Sequence, residues 1–156
     1  MIYLECNPDK ALVMAMGIHK KEIYHSGNKG NVCKNLAKNS NSKGLVDEDP
    51  FSTQPSYIGK LELILHEHDI KLLYDEKAQN QLIILCPKLE DWILKAAKEA
   101  KVNVEDYSLP DDAYELHEII NIKPEKFLRL IEDLKKKKSK MLKNLEALLK
   151  TRNQRD

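Results

Sequence analysis

Short apolar stretches that alternate with helix-forming segments dominate the first 100 residues. Five stretches have the length and composition of strands, at residues 1–4, 21–25, 44–46, 70–74 and 81–86. Four other segments carry apolar residues at helical spacing, at residues 8–16, 31–38, 58–68 and 87–100. Strands separated by helices pair in parallel, with the helices covering the sheet. We therefore predict an α/β fold in which a small, mostly parallel sheet is flanked by helices.

The chain after residue 100 carries only helical patterns. One helix is expected over residues 112–120, and Pro124 is suited to begin a single last helix. The apolar residues of that last helix follow a heptad stripe: Phe127, Ile131, Leu134, Met141, Leu145 and Leu148. We predict an α/β core over residues 1–100 and a helical C-terminal extension over residues 101–156, which either packs on the core or mediates association.

The charges are unevenly distributed between these two parts. Residues 123–156 contain 12 Lys and Arg and 5 Asp and Glu, a net charge of +7. The whole chain has a net charge of +1, so the remaining residues carry −6. The basic segment could be a solvated helix, a surface for a second copy of the chain, or a non-specific contact to nucleic-acid phosphates.

Cysteine content and hydropathy indicate where the protein resides. The three cysteines are an odd number without CxxC spacing, which is typical of a reduced, cytoplasmic protein. The longest apolar runs are far shorter than the roughly 20 residues of a membrane helix. The N-terminus has no basic segment before an apolar stretch, as a signal peptide would. We expect no membrane association.

Acidic residues follow two of the predicted strands. Glu5 comes directly after the first strand, and Asp47 and Asp49 come after the third. Functional groups of parallel sheets gather at the carboxyl ends of the strands, and an extended Asp-x-Asp places both side chains on one face. Three converging carboxylates repel one another unless a cation joins them or one takes a proton. Mg²⁺ prefers such hard oxygen ligands, so the pattern predicts a divalent-metal site.

These residues carry a resemblance to a known family. Glu5 after an apolar strand, Asp9 in the next helix start, Gly27, and then Leu45-Val46-Asp47-Glu48-Asp49 resemble the Toprim domain. That domain occurs in topoisomerases, bacterial primases and OLD-type nucleases. The similarity covers roughly residues 1–100 and is strongest to small stand-alone Toprim-like proteins related to OLD-type nucleases. Cys6 stands where the family usually has glycine.

The resemblance implies a role for each matching residue. Glu5 would be a general acid/base or a metal ligand, and Asp47 and Asp49 would hold Mg²⁺ or Mn²⁺. Asp9 and Glu90 would support that ion or hold a second one. Gly27 and Lys29 would contact a phosphate, although both are also ordinary turn residues.

Two hypotheses for function follow. The first is a Mg²⁺- or Mn²⁺-dependent nuclease or related phosphotransfer enzyme that uses Glu5, Asp47 and Asp49 on DNA or RNA. The second is a non-catalytic Toprim-like module that binds nucleic acid or a protein, such as a separate ATPase or a second copy of the chain.

Overall fold

A computed structural model describes residues 1–151 of the chain. The last five residues of the predicted extension, 152–156, lie outside the described residues. The strands are β1 (Ile2–Leu4), β2 (Ile23–His25), β3 (Lys43–Asp47), β4 (Glu62–Glu67), β5 (Ile70–Asp75) and β6 (Asn80–Leu85). The helices are α1 (Asn7–Ala15), α2 (Lys29–Lys38), α3 (Leu89–Glu99), α4 (Ala113–Ile122), α5 (Pro124–Lys136) and α6 (Lys140–Lys150). No helix within residues 1–151 is both long and apolar enough to cross a membrane.

The six strands form one mixed sheet in the order β2-β1-β3-β6-β5-β4. Strands β2, β1, β3 and β6 run parallel, whereas β5 and β4 are added antiparallel at one edge. The prediction of an α/β fold with a mostly parallel sheet is therefore confirmed. The antiparallel hairpin was not predicted.

The predicted helix over residues 58–68 is wrong. A single 3₁₀ turn over Ile58–Lys60 is followed by strand β4. The hairpin turn to β5 consists of His68 and Asp69, which both have positive φ, 51° and 54°. Two-residue hairpin turns with positive φ at both central residues have a twist that matches the twist of the flanking strands. Pairing with β5 thus overrides an apolar spacing that also fits a helix.

The sheet buries alternate side chains on its two faces. On β3, Leu45 belongs to the core beneath α1 and α3–α6, while Val46 belongs to the smaller core beneath α2. Gly44 allows α2 to approach closely, because a Cβ there would lie 2.8 Å from Val32 and 2.9 Å from Leu82. The larger core therefore fixes five helices on one face, and α2 packs against the other.

The C-terminal helices bury their apolar residues in the larger core. Phe127, Leu130 and Leu134 of α5 and Met141 and Leu145 of α6 are at most 1% exposed. The prediction of one continuous last helix is wrong, because the chain breaks between Lys136 and Lys140. The heptad spacing nevertheless persists across the break, since both helices direct their apolar stripes into the same core.

The break between α5 and α6 has a local cause. Lys138 has a positive φ of 58°, and the hydroxyl of Ser139 accepts a hydrogen bond from the Leu142 backbone N–H at 3.3 Å. A serine that caps a helix start in this way begins a new helix. The end of α6 is fixed by buried Lys43, whose Nζ donates to the carbonyls of Leu148 at 2.5 Å and Thr151 at 2.6 Å.

Candidate functional site

The acidic residues that follow the parallel strands meet at one edge of the sheet. Strand β1 pairs directly with β3, so Glu5 and Asp47 come from neighbouring strands. Glu90 lies in the first turn of α3, which follows β6 on the other side of β3. Glu5, Asp47, Asp49 and Glu90 line a single cavity of about 880 Å³, together with Gly27 and Lys29 among others. The expected convergence of these residues is observed.

Asp49 reaches the cavity in a different way from the one predicted. Strand β3 ends at Asp47, and Asp49 has a φ of 41°, so the two aspartates do not share one extended segment. The chain leaves the sheet here because the Asp49 backbone N–H donates to the carbonyl of Pro87 at 2.9 Å. The Asp49 carboxylate lies 3.9 Å from Nζ of Lys88. The expectation of an extended Asp-x-Asp was therefore wrong, although both side chains line the cavity.

Asp9 is bonded within the first turn of α1. It is 1% exposed, and its Oδ2 accepts hydrogen bonds from the backbone N–H and the thiol of Cys6, both at 3.2 Å. Cys6 occupies the N-cap position of α1. Asp9 does not line the cavity, yet its charge raises the pKa values of both Glu5 and Asp47. Its influence on the cavity is therefore electrostatic.

Three of these carboxyl groups hold their protons unusually tightly. Burial and then the charge of Asp9 raise the pKa of Glu5 to about 7. Burial and then the charges of Asp9 and Glu5 raise the pKa of Asp47 to about 8. Burial raises the pKa of Asp9 to about 6 against hydrogen bonds from Cys6. Burial and mutual repulsion together therefore disfavour the ionised forms of these neighbouring carboxyl groups.

Helix starts at the same edge offset part of this charge. Helices α1, α2 and α3 each begin just after a parallel strand, and their N-terminal ends carry partial positive charge. Oδ1 of Asp47 accepts a hydrogen bond from the backbone N–H of Leu89 at 2.9 Å, in the first turn of α3. Asp47 and Asp9 therefore also stabilise helix starts, a role typically worth about 1 kcal/mol.

Gly27 and Lys29 form the turn into α2. Gly27 has a φ of 97°, a conformation that glycine adopts without steric cost. Nζ of Lys29 donates to the carbonyl of Glu48 at 2.7 Å and to Oε1 of Gln54 at 2.5 Å. The Lys29 ammonium thus holds the loop after β3, and its charge also lowers the pKa of Glu5.

His117 of α4 also belongs to the cavity, although the sequence did not indicate it. Its Nδ1 lies 2.7 Å from Oε1 of Glu90, whose side chain is only 7% exposed. When Glu90 is ionised its carboxylate can only accept, and Nδ1 then donates this hydrogen bond. His117 lines the same cavity as Glu5 and Asp47. The two partners are 27 residues apart, and no local sequence pattern connects them; only the packing of α4 against α3 does.

The oxygen donors of the cavity bear on whether it can hold a metal ion. Within residues 1–151, no group of three or more His, Cys, Asp or Glu side chains is arranged to hold an ion. Mg²⁺ is commonly bound through one or two carboxylates, with water and phosphate oxygens at its other positions. Glu5, Asp47 and Asp49 line the cavity with hard oxygen donors of the type that such a partly solvated ion takes, but they do not form a preassembled three-ligand site.

Comparisons with protein-family models, curated proteins and solved structures found no match. The resemblance to the Toprim domain therefore stays a prediction that depends on the sequence motifs.

Proposed function

We propose that this protein is a divalent-metal-dependent phosphodiesterase, a nuclease or related phosphotransfer enzyme, that acts on nucleic acid. The observation that carries the proposal is the group of carboxyls at the carboxyl edge of the sheet, where Glu5, Asp9 and Asp47 all have raised pKa values. Perturbed titratable groups that converge on a cavity are typical of functional sites. A divalent cation would offset the repulsion between these carboxylates.

Glu5, Asp47 and Asp49 are the residues that would hold Mg²⁺ or Mn²⁺. When bound, the ion would polarise a phosphate oxygen and stabilise charge on it during cleavage. Burial and the charge of Asp9 give Glu5 a pKa of about 7, so its carboxyl group can accept or release a proton near neutral pH. The N-terminal end of α2 lies on the cavity wall and favours a phosphate there.

Cleavage of fluorescently labelled oligonucleotides tests the proposal. The wild-type protein is expected to cleave single-stranded DNA or RNA in Mn²⁺ or Mg²⁺ but not in EDTA. Asp47→Asn and Glu5→Gln are expected to reduce the rate by roughly 100-fold or more. Asp111→Asn, an exposed aspartate outside the cavity, is the matched control. Equal cleavage by Asp47→Asn and the wild type would contradict the assignment.

A second candidate is a non-catalytic module that binds nucleic acid or a protein partner such as a separate ATPase. It is favoured by the absence of a three-ligand group among residues 1–151 and by the engagement of the Lys29 ammonium with the loop. This candidate predicts no cleavage in any divalent ion. It also predicts that ligand binding is the same in Mn²⁺ and in EDTA.

A further inference from the structure

The cavity that holds the carboxylates also has basic walls. Lys34 lies on the cavity side of α2, in line with Gly30 one turn earlier, and Lys60 ends the 3₁₀ turn on the other segment that lines the cavity. Within residues 1–151, neither lysine makes an ion pair or a side-chain hydrogen bond, in contrast to Lys29. Two ammonium groups without protein partners are therefore available to an anion inside the same cavity.

An exposed aromatic residue stands next to this cavity. Phe51 is 100% exposed, and the three residues that follow it, 52–54, line the cavity. The loop is fixed by Gln54, whose Nε2 donates to the carbonyls of Asp49 at 3.0 Å and Ser52 at 3.1 Å. The backbone N–H of Ser52 also donates to the Asp49 carbonyl, at 3.0 Å. Phe51 is thus presented to solvent by a hydrogen-bonded turn.

We propose that the cavity binds single-stranded nucleic acid, with one backbone phosphate held by each of Lys34 and Lys60 and an unpaired base stacked on Phe51. This inference rests on the proposed function and specifies its substrate class. Lysines that follow a backbone, next to an aromatic ring that stacks a base, are the usual elements of single-strand recognition. In a duplex the base faces are already stacked on one another, so no free base face is available to stack on Phe51. A flexible strand can also follow the cavity towards the half-buried carboxylates.

The basic run of the C-terminal extension lies elsewhere. Nζ of Lys135 donates to the carbonyl of Ala15 at 2.5 Å, at the last residue of α1. The other end of α1, its first turn with Asp9, lies beside the carboxylate of Asp47. The lysines at 135–138 are therefore at the opposite end of α1 from the cavity. They provide a matched control, because they are numerous and exposed but should not contact the substrate.

Fluorescence anisotropy with a labelled oligothymidylate over a range of NaCl concentrations tests the inference, in EDTA and separately in Ca²⁺. Each lysine–phosphate contact to a single strand adds about 0.7 to the slope of log K against log salt. Lys34→Gln/Lys60→Gln is expected to reduce that slope by about 1.4. Phe51→Ala is expected to weaken binding about 5- to 150-fold without changing the slope, and Phe51→Tyr to restore it.

The controls use exposed residues away from the cavity. Lys137→Gln/Lys138→Gln is expected to bind like the wild type, and a duplex of equal length to bind more weakly than the single strand. The inference is overturned if the cavity variants bind like the wild type, if the Lys137/Lys138 variant loses slope instead, or if the wild type binds no oligonucleotide. Failure of the metal site is distinguishable, since it abolishes stabilisation by Mn²⁺ while the lysine and Phe51 effects persist in EDTA.

Discussion

Replacement of Asp47 by asparagine should stabilise the protein at pH 8 in the absence of divalent ions. The asparagine Oδ1 can still accept the hydrogen bond that Asp47 accepts from the Leu89 backbone N–H at 2.9 Å. The amide cannot ionise, however, so the variant avoids placing a charge beside Asp9 and Glu5. The substitution therefore isolates the electrostatic cost of the carboxylate from its role at the start of α3.

The size of this effect follows from the pKa of Asp47. Burial and the neighbouring carboxylates raise that pKa from 3.8 to about 8. A pKa change of one corresponds to about 1.4 kcal/mol, which sets an upper limit of about 6 kcal/mol for ionising Asp47 in the folded protein. Solvent in the cavity screens part of this cost, and the neighbouring carboxyls can keep their protons instead. We expect the variant to gain about 2 kcal/mol at pH 8.

The sign of the pH dependence is fixed by the direction of the pKa change. A carboxyl whose pKa is higher in the folded state binds its proton more tightly there, so folding is favoured at low pH. The wild type loses this contribution as the pH rises from about 4 to about 8. The advantage of Asp47→Asn should therefore be close to zero at pH 4 and largest at pH 8.

Urea unfolding followed by circular dichroism in EDTA, at intervals from pH 4 to pH 8, measures the difference. Asp111→Asn is the control, because its side chain is exposed and lies outside the cavity. A variant that is as stable as the wild type or less stable at pH 8 would refute the electrostatic reasoning. So would a difference that does not depend on pH.

Three further predictions concern the parts of the structure that support the site. His117→Phe removes the hydrogen bond to Glu90 and should weaken Mn²⁺ binding about 10-fold or more in calorimetric titration. His117→Asn keeps a donor for Glu90 and should bind Mn²⁺ nearly as tightly as the wild type. Gly44→Ala should lower the free energy of unfolding by about 1–3 kcal/mol in urea, because the added Cβ would lie 2.8 Å from Val32. A chain truncated after Asn121 lacks α5 and α6 and should show no cooperative thermal transition in scanning calorimetry; a sharp transition would contradict their place in the core.

The sequence predicted those parts of the fold that depend on local signals. The strand, turn and helix start around Glu5 could be predicted because an apolar run, proline and aspartate are adjacent there. The meeting of Glu5 with Asp47 could also be predicted, since parallel strands end at one edge of a sheet. In contrast, β4 was mistaken for a helix, because its apolar residues fit both periods and only pairing with β5 selects the strand.

The parts of the site that were missed depend on tertiary packing. His117 reaches Glu90 only because α4 packs against α3, and the sequence contains no signal for that contact. The break before Ser139 was missed because the apolar stripe continues across it, so the periodicity does not reveal that the chain turns. Asp49 was expected to share one extended segment with Asp47, but its φ is positive and its backbone N–H donates to the carbonyl of Pro87.

The most direct measurement of the central claim is thermal unfolding of the wild type and of Glu5→Ala/Asp47→Ala, with and without millimolar Mn²⁺. An ion present at 100 times its Kd would stabilise the wild type by about 2.7 kcal/mol, which corresponds to about 5–10 °C for a domain of this size. We predict a rise of this order in the wild type and no rise in the double variant. An equal rise in both proteins, or no rise in the wild type at any Mn²⁺ concentration, would contradict a divalent-metal site at these carboxylates.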